Sequence, residues 1–436
     1  MNEFNVVRLQ GLGFPRAIQQ ILQNHPDFND LSFSSQQEIL VRERSVYSSG
    51  FSEGMKRLGN SATEIFFDFE LAQKKWADEQ GLPFLQDSWR DEIALAQLKT
   101  LQPDVLYLQD IYGLSENSRR KIKELVPSIK LVVIQKGYPG ETRDLSDADI
   151  LLVSSPILYD RYKERGQNPH LIYHSFDETL SKDGASMSQG ERESFVFAGS
   201  SRAPEDRYWM LRNLLKQTSI KLWADEDRSS HEKHGGKLNL LGWKRYLRQS
   251  LIELVKKDNA NLLRGALSLA ASISKVERVL AQADFSKDHG PTVRSLPGLS
   301  RGLLPKETLS EEFPDRCYRS LFGKDYYDLL NRSDIVFNIH STKSGNTVDN
   351  MKMFESTGMG ACLLTDTGRN MKDLFEEDFE VVTYASAPEA ISKAKYLLEN
   401  PEEAKKISAA GRAKTLAQHT MAHRCEEING IIRAQL

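Results

Sequence analysis

The chain has 436 residues, 39% of them hydrophobic and 27% charged, which is the balance of a globular protein long enough for two α/β domains. Lysine plus arginine number 58 against 61 aspartate plus glutamate, a formal net charge of −3, so the basic excess of a dedicated duplex-binding protein is missing and nucleic acid is not an expected partner. No basic start followed by an apolar stretch opens the first thirty residues, and the most apolar windows (149–153 and 266–273) fall short of a membrane span, so the expectation is a cytoplasmic protein. Cys317, Cys362 and Cys425 are too far apart in sequence for metal-ligand spacing and read as reduced structural thiols.

In chain order, residues 5–9 (NVVRL) predict a strand and the stretch from Phe14 onward a helix. A helix closed by Leu58-Gly59 leads into a second strand at 62–67 (ATEIFF), with Gly59 free to take a left-handed cap. Further strands are predicted at 104–109 (DVLYLQ), 130–135 (KLVVIQ) and 149–154 (DILLVS). These runs are continuously apolar and rich in β-branched residues, as in strands buried on both faces of a parallel sheet. Helical stretches separate them, and that alternation predicts a doubly wound sheet. Residues 177–192 (DETLSKDGASMSQGER) are nearly devoid of apolar side chains and read as a linker. A second series follows at 194–198, 220–224, 335–339, 361–365 and 380–383, and long helices run from about Pro388 onward. Residues 241–283 break the rhythm. They are helical in period and basic early on, with Trp243, Lys244, Arg245, Tyr246 and Arg248. The segment reads either as an inserted amphipathic hairpin packed on its domain or as a surface that meets acidic lipid head groups or a partner.

The C-terminal half carries the most specific residues. Tyr326-Tyr327-Asp328-Leu329-Leu330 leads through Ser333-Asp334 into a strand ending at His340; Asn350-Met351-Lys352-Met353-Phe354-Glu355 and Gly358-Met359-Gly360 follow, then Leu374-Phe375, Gly411-Arg412, His419-Thr420 and Arg424. With Phe14-Pro15-Arg16, Gln73, Trp76-Ala77, Pro103-Asp104-Val105 and Ser154-Ser155-Pro156 in the first half, this ordered set resembles the CgeB-like, spore-maturation-type glycosyltransferases. The resemblance spans nearly the whole chain outside the insertion. It implies the GT-B fold, two Rossmann-like domains with a cleft between them, here with a helical insertion in the second. The implied organisation is an acceptor domain at 1–178, a linker at 179–193, a nucleotide-sugar donor domain at 194–415 with the insertion at about 241–305, and a helix at 416–436 returning to the first domain. The chain departs from the family pattern at Lys352, where arginine is usual. It departs again at Thr347, where many retaining relatives place the first of two glutamates eight positions apart.

A sugar-transferring site must hold a nucleoside and stabilise a departing diphosphate, and in open α/β sheets that site lies beyond the C-terminal strand ends. Glu355 is placed to accept hydrogen bonds from ribose hydroxyls, or else serves as a helix-start ion-pair partner. The loop Gly345-Asn346-Thr347 before its helix offers main-chain N–H groups to an anion, with Lys352, Asn350 and Phe354 beside it. The turn Ser200-Ser201-Arg202 after the first strand of the second half can do the same. Lys352 reads equally as a partner for Glu355, Asn350 as a loop organiser, and the Ser200 turn as an ordinary one. His340 at a strand end reads as a catalytic residue or as a satisfied core histidine. His174 and Asp177 lie where the cleft is expected, and Asp110 and Lys136, after strand ends, are candidate bases for the acceptor hydroxyl. Asp147 and Asp149 have an Asp-x-Asp spacing, but they sit at the entry end of a strand and are rejected as a metal site. No metal and no cofactor is expected, the nucleotide-sugar being a co-substrate and protein cations taking up the diphosphate charge. The expected acceptor is a glycan, a lipid-linked saccharide or a protein, with peripheral membrane contact through the basic insertion. The rival readings are a nucleotide-sugar epimerase, a non-catalytic nucleotide-binding scaffold, and an NAD-linked oxidoreductase; the last is disfavoured because no GxGxxG follows a predicted strand.

Overall fold

The computed structural model describes residues 3–43, 50–109, 111–140, 142–180, 190–201, 205–225 and 308–436. The insertion expected at about 241–305, most of the expected linker, and the candidate residues Asp110 and Arg202 lie outside these.

Twelve strands among the described residues form two six-stranded parallel sheets. The first contains β1 (Asn5–Gln10), β2 (Ser61–Phe66), β3 (Val105–Leu108), β4 (Leu131–Lys136), β5 (Ile150–Val153) and β6 (Pro169–Leu171), in the order β2-β1-β3-β4-β5-β6. The second contains β7 (Glu193–Ser200), β8 (Lys221–Asp225), β9 (Cys317–Arg319), β10 (Ser333–Phe337), β11 (Cys362–Asp366) and β12 (Val382–Tyr384), in the order β12-β11-β10-β7-β8-β9. The predicted strands are all present within a residue or two, and β6 and β9 are additional. Seven helices matter below: α1 (Gly50–Arg57), α2 (Pro156–Glu164), α3 (Glu205–Gln217), α4 (Gly323–Asn331), α5 (Met351–Met359), α6 (Pro401–Gln418) and α7 (Met421–Arg433).

By internal contacts the chain divides into one compact unit of residues 1–194, 321–386 and 396–436, and another of 195–320 and 387–395. In the first unit, β3 and β5 are buried along their whole length, which is why their sequences carry no polar alternation. One sheet face packs Val7, Leu9, Leu106, Ile134 and Val153 against Ala94, Leu98 and Leu158. The other packs Val6, Val133 and Leu152 against Phe51 and Met55 of α1 and Cys425, Ile428 and Ile432 of α7. Ser155 caps α2 by accepting from the Leu158 amide, with Pro156 in the first turn, and Thr420 caps α7 in a box with His423. Gly59, at φ +79°, closes α1 in the left-handed conformation the sequence required. Consecutive connections turn to opposite sides of β1, so a crevice opens at the C-terminal ends of β1 and β3.

In the second unit, Tyr208, Leu211, Leu214 and Leu215 of α3 are buried, and Trp223 stacks on Tyr318 at 4.8 Å. Arg316 ties the unit together by donating to the carbonyls of Thr218 (2.8 Å) and Leu215 (2.5 Å).

Candidate active site

The helix α5 organises the site. Glu355 sits on it 7% exposed, with Tyr326 and Tyr327 of α4 donating their hydroxyls to its two carboxylate oxygens at 2.8 and 3.0 Å. Burial raises its pKa above the ordinary carboxylate value, against the pull of both tyrosines and of Lys352. An ionised carboxylate offers about four acceptor directions. The tyrosines occupy two, which leaves two by count. Gly358 and Gly360 shape the helix itself. A Cβ on Gly358 would meet the Phe176 ring at 2.3 Å, and Gly360 ends α5 at φ +91°.

His340 takes the structural alternative of its two readings. It is 5% exposed, its Nδ1–H faces Asp366 at 2.7 Å, and its Nε2 accepts from the Asp349 and Asn350 amides at 3.0 and 3.3 Å. Both ring nitrogens are therefore committed, and the histidine holds the chain entering α5. Asp366, despite burial, is kept below its ordinary pKa by the His340 ring and amide. Asn350 exchanges side-chain hydrogen bonds with Asn338, which is the loop-organising role. Thr347 spends its hydroxyl on the Ser344 carbonyl at 2.7 Å. Gly345 (φ +58°) and Asn346 are exposed beside it. The expected anion cradle is thus partly consumed: the amides of 347, 348, 349 and 350 have protein acceptors. Phe354 is fully buried against Phe375 and His419, so the placement among nucleotide contacts is corrected: its ring anchors α5 in the core.

Sequence reasoning missed Asp349. It is 4% exposed, its Oδ2 has no hydrogen-bond partner among the described residues, and Ser155 bonds its carboxyl. Burial raises its pKa to about 6. No motif marked it; its only sequence signal is an acidic residue just before a helix.

A cavity of about 50 Å³ lies at the C-terminal edge of the first sheet. Tyr107, Gln109, Gln135 and His174 line it from the sheet side, Tyr327 and Met351 from α4 and α5, and Arg424 from α7. Tyr327 thereby connects the cavity to Glu355. A cavity needs about 10–15 Å³ of such space to hold one water, so this one has room for a few waters or small polar groups. Loss of hydration, helped by the Arg424 charge, lowers His174 to about 4, so its ring is neutral at physiological pH. Arg8, 2% exposed, reaches the cavity while its Nε donates to Glu64 at 2.6 Å and its Nη1 to Gln109 at 3.0 Å. Arg424 donates to the Tyr173 carbonyl, Glu427 and His419.

The other candidates stand elsewhere. Ser200 is the last residue of β7 and Ser201, fully buried, follows it. Arg207, in α3 and not singled out by sequence, donates to the Ser200 carbonyl at 3.1 Å and lies over Phe197. Asp147 is paired with Arg119, and Asp149 with Lys123 and the Val132 amide, so both act in the sheet's entry end.

Residues 292–430 match the family model described as glycosyl transferase-like, a stretch that contains α4, α5 and Glu355. No curated protein matches the chain. Among solved structures, Anabaena Alr3699/HepE in complex with UDP-glucose is 12% identical over 99% of this chain and 100% of that one, with a TM-score of 0.54. AviGT4, a glycosyltransferase involved in avilamycin A biosynthesis, is 10% identical over 99% and 97%, with a TM-score of 0.52. A Rickettsia africae glycosyltransferase is 9% identical over 100% and 99%, with a TM-score of 0.50. The two sheets form the GT-B fold that these glycosyltransferases share, and the segment 292–430 is glycosyl transferase-like. No helix among the described residues is long and apolar enough to cross a membrane.

Proposed function

We propose that the enzyme transfers a glycosyl group from a nucleotide-activated sugar to an acceptor hydroxyl, as a CgeB-like transferase. The observation that carries the assignment of the donor site is Glu355: a buried carboxylate with two fixed phenol donors and acceptor directions to spare, on the helix inside the matched segment. Glu355 takes the ribose hydroxyls. Lys352, the N-terminal end of α5 and the exposed Gly345-Asn346 backbone take the diphosphate, whose charge builds as the glycosidic bond breaks. The HepE complex with UDP-glucose supports a nucleotide-sugar donor for this fold. Residues 1–178 supply the acceptor surface and 194–415 the donor site. His174, neutral and in the cavity, stands by the acceptor hydroxyl, with Asp110 the other candidate base; His340 positions α5. No metal or further cofactor is needed, because cations and amides of the chain serve the leaving group. We place the enzyme in the cytoplasm, with the 241–305 insertion as a peripheral membrane contact.

The test is thermal unfolding of the wild type, Glu355→Gln and Glu355→Ala with a panel of nucleoside mono- and diphosphates and their sugars. A ligand at a hundred times its Kd stabilises by about 2.7 kcal/mol. One nucleotide should shift the wild type, with the shift much reduced in both variants. A panel that shifts nothing, or a shift unchanged in Glu355→Gln, overturns the donor site. Product analysis with donor alone then separates transfer from epimerisation.

A further inference from the structure

Three neighbouring strands of the first sheet end alike. The register pairs Leu9 with Leu108 and Leu108 with Ile134, so Gln10, Gln109 and Gln135, each one residue further on, form a row across β1, β3 and the C-terminal end of β4. Within four residues after each glutamine the loop presents an exposed aromatic: Phe14 is 48% exposed, Tyr112 55% and Tyr138 54%. The Arg143 guanidinium lies 5.0 Å from the Tyr112 ring centre, the Lys343 ammonium lies 5.5 Å from that of Tyr138, and Phe322 packs 5.6 Å from Phe14.

Resting on the transferase reading above, we propose that this row is the acceptor site and that the acceptor is a neutral saccharide chain, its rings on the aromatic rim and its reacting end against Gln109 and Gln135. Three strands span about 10 Å, close to two sugar rings. A pyranose has an apolar C–H face and a hydroxyl edge, and the site offers the complement of each. The rings give broad faces that lose little entropy on binding. Gln109 accepts from Arg8, and Gln135 accepts from Tyr107 and donates to Ser154; each amide has two donor and two acceptor positions, so part of its capacity remains for hydroxyls. In the floor Arg8 is paired with Glu64 and Arg424 with Glu427, while the rim cations Arg143 and Lys343 lie over the Tyr112 and Tyr138 rings. A lipid surface is the poorer fit: the large aliphatic residues of these loops are turned inward, Leu12 being 1% exposed and Ile111 half-buried.

The experiment is native electrophoresis of the full chain in gels cast with a linear α-glucan, a β-glucan, a mannan or a galactomannan. Co-sedimentation with phosphatidylglycerol–phosphatidylethanolamine vesicles and the nucleotide-induced unfolding shift are measured on the same samples. The wild type should be retarded by at least one glycan. Tyr112→Ala/Tyr138→Ala should need about tenfold or more glycan for half-retardation, while Tyr112→Phe/Tyr138→Phe, which keeps both rings, should stay within about twofold. Retardation by none of the glycans, or equal retardation in the double alanine variant, overturns the proposal. So does pelleting with vesicles that the alanine variant loses, which would make the rim a lipid surface. The nucleotide shift keeps the two readings apart: if it persists while glycan retention fails, only the acceptor assignment falls, and if it is absent the donor site falls whatever the gels show.

Discussion

Two acidic residues on or just before α5 sit in surroundings that disfavour their charge, and they differ in how that charge is answered. Glu355 has two phenols; Asp349 has one serine and an oxygen without a partner among the described residues. A carboxyl at about 6 in the fold and 3.8 when unfolded binds more protons in the native state between those values. Stability therefore falls as pH rises from 3.8 to 6 and stays lower above. Asparagine fixes the uncharged form, so Asp349→Asn should be more stable than wild type at pH 8, by about 1–3 kcal/mol, with the gain vanishing near pH 4. Urea unfolding at the two pH values checks this; a variant less stable at pH 8 would mean the carboxylate is held by contacts that favour its charge. Of the residues named from sequence, His340, Asn350, Thr347 and Phe354 make contacts that hold α5 and the chain entering it, whereas Glu355 is held by two tyrosines and His174 lines the small cavity. These partners were not legible in sequence, because a side chain's partners, such as Asp366 for His340, come from other strands of the sheet.

At the level of elements, two glycines mark where segments touch. Gly54 in α1 faces α7, and a Cβ there would meet Cys425 Sγ at 2.5 Å; Gly358 in α5 faces Phe176 at 2.3 Å. In an exposed helix glycine to alanine is stabilising by up to about 1 kcal/mol. Here overpacking reverses the sign, and Gly54→Ala should cost about 1–3 kcal/mol. Calorimetry should show a lowered Tm, with Cys425→Ala in the same chain returning most of the loss. If Gly54→Ala alone raises Tm, the close packing of α1 on α7 is wrong. Neither contact was legible in sequence, since a glycine in a helical stretch does not name its neighbour. The strands β6 and β9 escaped for a different reason. Each is three residues long and lies at the edge of its sheet, where only one side is paired. The long interior strands were legible because burial on both faces leaves a continuous apolar run.

The whole molecule was legible as two strand–helix series, because that alternation survives in apolar runs and the turns between them. What the alternation could not show is how α7, drawn from the last residues, completes the first sheet. Phe176 and Thr420 form a parallel bridge, the Phe176 amide donates to the His419 carbonyl, and the Met421 amide donates to the Phe176 carbonyl. Beyond that crossing, Cys425, Ile428 and Ile432 cover one face of β1, β4 and β5. A chain stopped at residue 418 should therefore expose Val6, Val133 and Leu152, bind an apolar dye and be cleaved within the first sheet by protease. A truncated chain as resistant as the full one would show that α7 is dispensable to the sheet.

The crossing also sets a timetable. The six strands of the first sheet have been synthesised by residue 171, but the helix that covers one of its faces begins only at Met421. At translation rates of about 5–20 residues per second, that face waits on the order of 10 to 50 s for its lid. During synthesis the first sheet is thus half-clad, one apolar side covered by α1 alone until α7 emerges.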